Sequence, residues 1–353
     1  MSLQNDALTR LGWNASLQQQ LTLEDIEQTV PCRVSAVHRG QIIVSHGEGE
    51  LTLALTGKML QQRAEHQMTV GDWLLVSRET GAFVRQLERF SLIQRQSAGT
   101  DKSQQLIVAN VDTLFIVTSC NDDFNLSRLE RYLAIAYSAE VYPVIVLTKQ
   151  DMSDTPQSYM DQARTLGANL IVETVNALDP TTLNVLQNWC KPGQSIALVG
   201  SSGVGKSTLA NALGAKSQKT GDIREDDAKG RHTTTQRSLL PLDNGAVLID
   251  NPGIRELGMV DAVAGLVTVF EEIAELSQNC RFSDCQHDQE PGCAVKAALE
   301  KEELSERRMK SYTKLMAEQE RNAATTAERR KKEKATVKFH KKIQSQKKLS
   351  RRY

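Results

Sequence analysis

Apolar and polar residues alternate along Cys32-Arg33-Val34-Ser35-Ala36-Val37. Short apolar runs follow at Gln41–Val44, Leu51–Leu55, Asp72–Val76 and Ala82–Val84, with glycine-containing turns between them. A period of two puts alternate side chains on one buried face. Five short strands within residues 30–97 predict a small all-β barrel of OB or SH3 type. From residue 98 the pattern changes. Val111–Ser119 and Val144–Thr148 are continuous apolar runs, as parallel strands covered on both faces should be. Leu170–Val175, Ser195–Val199 and Ala246–Ile249 add three more, with helical stretches such as Leu126–Ala139 and Thr208–Leu213 between them. That alternation predicts a doubly wound α/β domain over 98–265. Residues 1–29 read as a short helical extension and 266–320 as a helical domain. Residues 321–353 form a tail too poor in large apolar side chains to build a core.

The 353 residues suffice for two or three domains. No run of 18 apolar residues is present, so no membrane span or membrane partner is expected. The start, Met-Ser-Leu-Gln-Asn-Asp, lacks the basic and apolar regions of a signal peptide, which predicts a cytoplasmic protein. A net charge of zero hides an asymmetry. Residues 321–353 carry 13 Lys/Arg against 2 Asp/Glu (+11), leaving 30 against 41 (−11) for the rest. A basic tail on an acidic body points to a polyanionic partner, most simply a nucleic acid.

Two motifs carry the nucleotide chemistry, and their order is unusual. Gly200-Ser201-Ser202-Gly203-Val204-Gly205-Lys206-Ser207 matches GxxxxGK[ST], with an apolar strand before it and a helix opening through Thr208 after it. Its glycines let backbone N–H groups turn toward phosphate. Lys206 would reach the outer phosphates and Ser207 would ligate Mg²⁺. Asp250-Asn251-Pro252-Gly253 follows a strand and fits DxxG, in which the Asp holds Mg²⁺ through water and the Gly senses the third phosphate. Ile254 stands next, where Ras-like enzymes carry a water-positioning Gln, so another group must orient the water. Between these motifs, Gly230-Arg231-His232-Thr233-Thr234-Thr235 lies in a polar segment suited to a switch. Thr234 is the candidate to complete the Mg²⁺ shell. His232 is a candidate to orient water or RNA, with a plain surface histidine as the alternative.

Thr148-Lys149-Gln150-Asp151 ends a buried strand and resembles the NKxD element by which GTPases read guanine. Asp151 can accept hydrogen bonds from the N1 and N2 donors of guanine, which adenine lacks, and Lys149 would pack over the base. Thr148 replaces the usual Asn. Asn176-Ala177 falls where GTPases carry Ser-Ala. In an ordinary GTPase the phosphate loop comes first. Here the base reader precedes it by about fifty residues, so the chain reads as a circularly permuted GTPase that uses GTP with Mg²⁺.

Cys280, Cys285, His287 and Cys293 stand as C-x4-C-x-H-x5-C. Three thiolates and an imidazole suit a closed tetrahedral site for one structural Zn²⁺. The polar residues between them argue against four buried core side chains. Cys32, Cys120 and Cys190 read as small core hydrophobes.

Together these features resemble the RsgA (YjeQ) family of small-subunit ribosome biogenesis GTPases. The permuted order, the Gly-x-His-Thr-Thr-Thr and Asp-x-Pro-Gly-x-Arg-Glu segments and the Cys/Cys/His/Cys spacing carry the likeness, over roughly residues 30–320. The resemblance implies an OB-fold N-terminal domain and a C-terminal zinc domain. It implies GTP hydrolysis to GDP stimulated by the small ribosomal subunit, and a late role in maturing that subunit by a monomer that contacts rRNA. Departures are Thr148, Asn176 and the long tail. Two rivals belong to other classes. One is a GTP-gated rRNA-binding scaffold with little turnover. The other is an ATP-using P-loop enzyme.

Overall fold

The computed structural model describes residues 2–38, 40–56, 67–96, 104–215, 238–250, 259 and 262–322. The chain divides into two compact units. One holds residues up to Gly258 apart from Ala98–Lys102, and the second begins at Met259.

The first unit opens with three short helices, α1 (Ser2–Thr9), α2 (Ala15–Gln18) and α3 (Leu23–Gln28). Thr22 and Asp25 form a capping box at the start of α3. Arg85 pairs with Asp25 at 2.7 Å, and its hydrogen bonds hold that carboxyl at about 2, below the usual range. An antiparallel sheet follows, built from β1 (Thr29–His38), β2 (Gln41–Ser45), β3 (Glu50–Ala54), β4 (Trp73–Ser77) and β5 (Phe83–Gln86). Its order, β3-β2-β1-β4-β5, is that of a five-stranded OB barrel opened between β3 and β5. The period-two pattern explains which side chains face in. Cys32, Val34, Ile42, Val44, Leu53, Leu74 and Val76 fill one face. On β4 the alternate positions Trp73 and Leu75 are apolar too, because Leu8, Leu11, Trp13 and Leu17 of the N-terminal segment cover the other side.

A hairpin of β6 (Leu92–Gln96) and β7 (Gln104–Ala109) leads into the α/β sheet. This contains β8 (Thr113–Ser119), β9 (Tyr142–Thr148), β10 (Ile171–Thr174), β11 (Ser195–Val199), β12 (Ser238–Pro241) and β13 (Val247–Asp250), in the order β10-β9-β8-β11-β13-β12. All neighbours are parallel except β12 and β13. The crossover helices are α4 (Leu126–Ser138), α5 (Pro156–Arg164) and α6 (Lys206–Ala212). The order runs outward from β8 through β9 to β10, then returns to β11 on the other side of β8. That reversal marks the switch point where doubly wound sheets bind ligands. The central strand β8 is wholly buried and β9 is buried beyond Tyr142, which is why they read as unbroken apolar runs.

Arg33 joins the barrel to the α/β sheet. Its side chain is completely buried. It donates to Gly71 O at 3.2 Å, Asn110 O at 2.7 Å, Ser195 Oγ at 2.7 Å and Leu11 O. Its guanidinium also lies 5.6 Å from the Trp73 ring centroid. Burial lowers its pKa to about 10, against the attraction of Asp112 and Asp72, so it remains charged at neutral pH. Desolvating such an ion costs several kcal/mol, and only a full set of partners offsets that.

In the second unit, α7 (Val263–Val269) and α8 (Glu271–Ser277) precede the cysteine cluster, and α9 (Ala294–Glu300) and α10 (306–322) follow it. Arg308 of α10 pairs with Glu272 at 2.7 Å and donates to Val269 O at 2.6 Å, while lying over the Phe270 ring.

Arg33→Met keeps most of the side-chain volume but leaves Leu11 O and Asn110 O buried without their donor, while Gly71 O keeps its bond from Asn110 Nδ2 at 3.0 Å. Urea unfolding should show the variant less stable by about 3 kcal/mol or more. A loss below about 1 kcal/mol would mean that the four bonds do not hold the two sheets together.

Candidate functional site

The sheet order brings the nucleotide motifs to one edge. β10, β9, β8, β11 and β13 run parallel, so their C-terminal ends share one end of the sheet. Asn176-Ala177 follows β10, and Lys149–Asp151 follows β9. The phosphate loop follows β11, and Asp250 ends β13 beside it. Motifs about fifty residues apart in the chain thus meet across two strand spacings.

The phosphate loop has the required backbone. Gly200 packs so tightly that a Cβ there would collide with Val117 O. Gly205, at φ 92°, caps α6 in the left-handed region, where a side chain would be strained. Val204 points into the core while Ser202 and Gly203 are exposed, so the loop offers its outer rim to solvent. Lys206 Nζ lies over the loop, donating to Gly200 O at 2.8 Å and to Ser201 O. Ser207 and Thr208 occupy the first turn of α6 and are half-buried. The hard hydroxyl oxygen of Ser207 fits Mg²⁺.

Thr148 supplies a contact that the sequence motif does not spell out. Its buried hydroxyl lies 2.6 Å from Val204 O in the phosphate loop and 3.2 Å from Thr118 O on β8. The side chain that departs from the usual Asn therefore still ties the base-reading strand to the phosphate loop. Lys149 follows in the left-handed region at φ 58°, opening the turn Gln150–Met152. Asp151 is exposed. Asn176 accepts from Leu178 N at 2.9 Å through its side chain, and its backbone N–H donates to Thr182 Oγ1 at 3.0 Å. These bonds hold Asn176-Ala177 in a tight turn beside β9.

In the second unit, the ligand atoms of Cys280, Cys285, His287 and Cys293 all lie within 4.8 Å of one another. His287 presents Nδ1 to the Cys280 and Cys293 sulfurs at 3.6 and 3.5 Å, and its Nε2 lies 3.1 Å from Ser277 Oγ. Ser277 donates its own proton to Ile273 O, so it accepts from Nε2–H and leaves Nδ1 as the bare nitrogen. Burial lowers the His287 pKa, which favours the neutral ligand form. Burial would raise the Cys280 thiol, but hydrogen bonds from the N–H groups of Val295 and Ala294 at the start of α9 and from Cys293 and Cys285 together lower its pKa. The Glu290 carboxylate bonds Gln286 N and Asp288 N and shapes the intervening turn. The donor set and spacing fit one Zn²⁺ in a structural site.

The RsgA GTPase family model matches residues 86–260. A curated protein of Vibrio vulnificus, "Small ribosomal subunit biogenesis GTPase RsgA 2", is 51% identical over 98% of this chain and 97% of its own. The chain belongs to the RsgA GTPase family. A Mesorhizobium japonicum protein, "Small ribosomal subunit biogenesis GTPase RsgA", is 44% identical over 90% of this chain and 91% of its own. The YjeQ crystal structure from Thermotoga maritima superposes with a TM-score of 0.61 at 25% identity, covering 82% of this chain and 98% of that one. YloQ, titled a circularly permuted GTPase, shares the fold with a TM-score of 0.57 at 24% identity, over 82% of this chain and 94% of that one. A second family model, described as "50S ribosome-binding GTPase", matches residues 195–326. That match begins at β11 and omits the base reader, as a permuted chain requires. The protein is thus a P-loop GTPase that hydrolyses GTP and uses Mg²⁺.

His232, Thr234, Gly253 and the side chain of Asp250 lie outside the described residues, as does the tail beyond residue 322.

The cysteine cluster yields a direct expectation. Purified protein should carry one tightly held zinc per chain by elemental analysis. Cys285→Ala should lose that metal and open residues 270–300 to protease. A metal-free preparation with a protease-resistant segment there would contradict a structural zinc.

Proposed function

We propose that this GTPase binds the small ribosomal subunit and hydrolyses GTP to GDP and phosphate during late maturation of that subunit. The observation that carries this reading is 51% identity, along nearly the whole chain, to a protein named for small-subunit biogenesis. The 50S description of the second family model points to the other subunit, but that model covers only residues 195–326. The relatives named for the small subunit match across the barrel and the zinc segment as well.

Each motif then has a role. Gly200–Thr208 cradles the phosphates with backbone N–H groups, and Lys206 neutralises the outer ones. Ser207 and Thr234 hold Mg²⁺, with Asp250 reaching it through water. The ion supplies positive charge against the developing phosphoryl group. Gly253 responds to the third phosphate, and His232 orients water or RNA. Asp151 reads the guanine edge, Lys149 packs over the base, and Asn176-Ala177 contacts the base oxygen. Thr148 acts through Val204 rather than on the base. The barrel, the zinc segment and the +11 tail contact rRNA, and the protein works as a cytoplasmic monomer.

Multiple-turnover hydrolysis of GTP and ATP, with purified small or large subunits added, tests this reading. Small subunits should accelerate GTP hydrolysis alone. Acceleration by large subunits only would sink the assignment, and slow turnover under every condition would favour the scaffold reading. Lys206→Ala should abolish productive phosphate binding. Asp151→Asn should shift preference from GTP toward xanthosine triphosphate, because an amide can donate to the 2-oxo group. An unmoved affinity ratio would remove Asp151 from the base site.

A further inference from the structure

Arg128 reaches the phosphate loop from the neighbouring strand end. It sits in the first turn of α4, where its backbone N–H donates to the Asn125 cap at 3.0 Å. The turn before it is fixed as well: Asn121 Oδ1 accepts from Ser119 Oγ at 2.7 Å and from Asp123 N at 3.0 Å. From this rigid base, Arg128 Nη1 lies 2.9 Å from both carboxylate oxygens of Asp123 and also donates to Ser201 Oγ. Ser201 is the second residue of the phosphate loop, and its carbonyl accepts from Lys206 Nζ. Two cations therefore converge on one residue of the loop, Lys206 through its carbonyl and Arg128 through its hydroxyl. A phosphate-loop lysine serves the outer phosphates, so Arg128 stands at the same end of the site.

We propose that Arg128 is a catalytic arginine supplied in cis, which donates to the third phosphate of GTP. The proposal rests on the phosphate-site reading given above. In hydrolysis the water oxygen bonds to the third phosphorus as the bond to the bridging oxygen breaks, releasing GDP, phosphate and a proton. Negative charge gathers on the phosphoryl and bridging oxygens during this step. A guanidinium presents a planar fork of donors suited to such oxygens. Its present partner is easily exchanged: Arg128 and Asp123 are each about a third exposed, and ion pairs open to solvent are weak. Mg²⁺-bound triphosphate offers a denser acceptor at the same place, whereas GDP lacks the phosphate to which Arg128 donates.

Arg128→Ala and Arg128→Lys in the full-length protein test this, with GDP affinity, GTP affinity and single-turnover hydrolysis measured side by side. Arg128→Ala should slow hydrolysis by at least about ten-fold while GDP affinity stays within about three-fold. Arg128→Lys should fall between that variant and the parent. Added guanidinium chloride at low, non-denaturing concentration should restore part of the lost rate to Arg128→Ala and none to Lys206→Ala. Unchanged hydrolysis in Arg128→Ala overturns the proposal. So does an equal loss of GDP and GTP affinity without guanidinium rescue, which would make Arg128 a brace for the loop. Failure of the underlying site reading is distinct: Lys206→Ala would then turn over GTP normally.

Discussion

Parallel strands ending along one edge of a sheet are the constraint on which the nucleotide site depends. A phosphate loop needs a strand to deliver it and a helix to carry it away. A base reader needs its own strand end two places along. Neither requirement mentions the order in which the chain visits those strands. Here β8 and β9 are laid down before β11, so the base reader precedes the phosphate loop, yet β9, β8 and β11 remain neighbours. The bond between Thr148 Oγ1 and Val204 O at 2.6 Å spans this permuted arrangement. It holds the loop by one of its carbonyls, leaving the N–H face of the loop for an anion.

Much of this was legible in the sequence, for a stated physical reason. β8, β9 and β11 are buried on both faces, so they stand out as unbroken apolar runs between helices. β2 alternates in burial because only one of its faces is covered, whereas β1 and β4 are covered on both. The zinc cluster was legible because its polar spacers exclude a core. What escaped were features whose cause lies far away in sequence. The hairpin of β6 and β7 straddles the change of pattern at residue 98, so its two strands do not read as a pair although Ser97-Ala98-Gly99-Thr100-Asp101 between them has turn composition. The antiparallel edge β12 is only four residues long. Residues 180–189 wind as a 3₁₀ helix that turns Leu183 and Leu186 into the core. Arg33 read as an outward polar position in an alternating strand. It is buried because Leu11, Gly71, Asn110 and Ser195 surround it.

Thr148 shows the same limit at the site itself. As a motif position it reads as a defect, since a hydroxyl cannot replace an amide at the base. In the fold its neighbour across the strands is the phosphate loop, and a short β-branched side chain there reaches a carbonyl at hydrogen-bond distance. Pattern matching scores a residue against the ligand, while packing decides which protein atom it meets first. Arg128 is hidden for the complementary reason. It lies seventy-three positions before Ser201, on a helix whose sequence signals only a cap and an apolar face.

Permutation also changes the chain's course beyond the DxxG segment. β13 ends at Asp250, and the second compact unit begins at Met259. Among the described residues, no strand of the sheet comes after β13. The Asp250–Gly253 segment therefore precedes, by only a few residues, the helices that carry the cysteine cluster. Within that second unit, Arg308 over Phe270 and its pair with Glu272 tie α10 to the start of α8, and the cysteine cluster gathers the chain between α8 and α9.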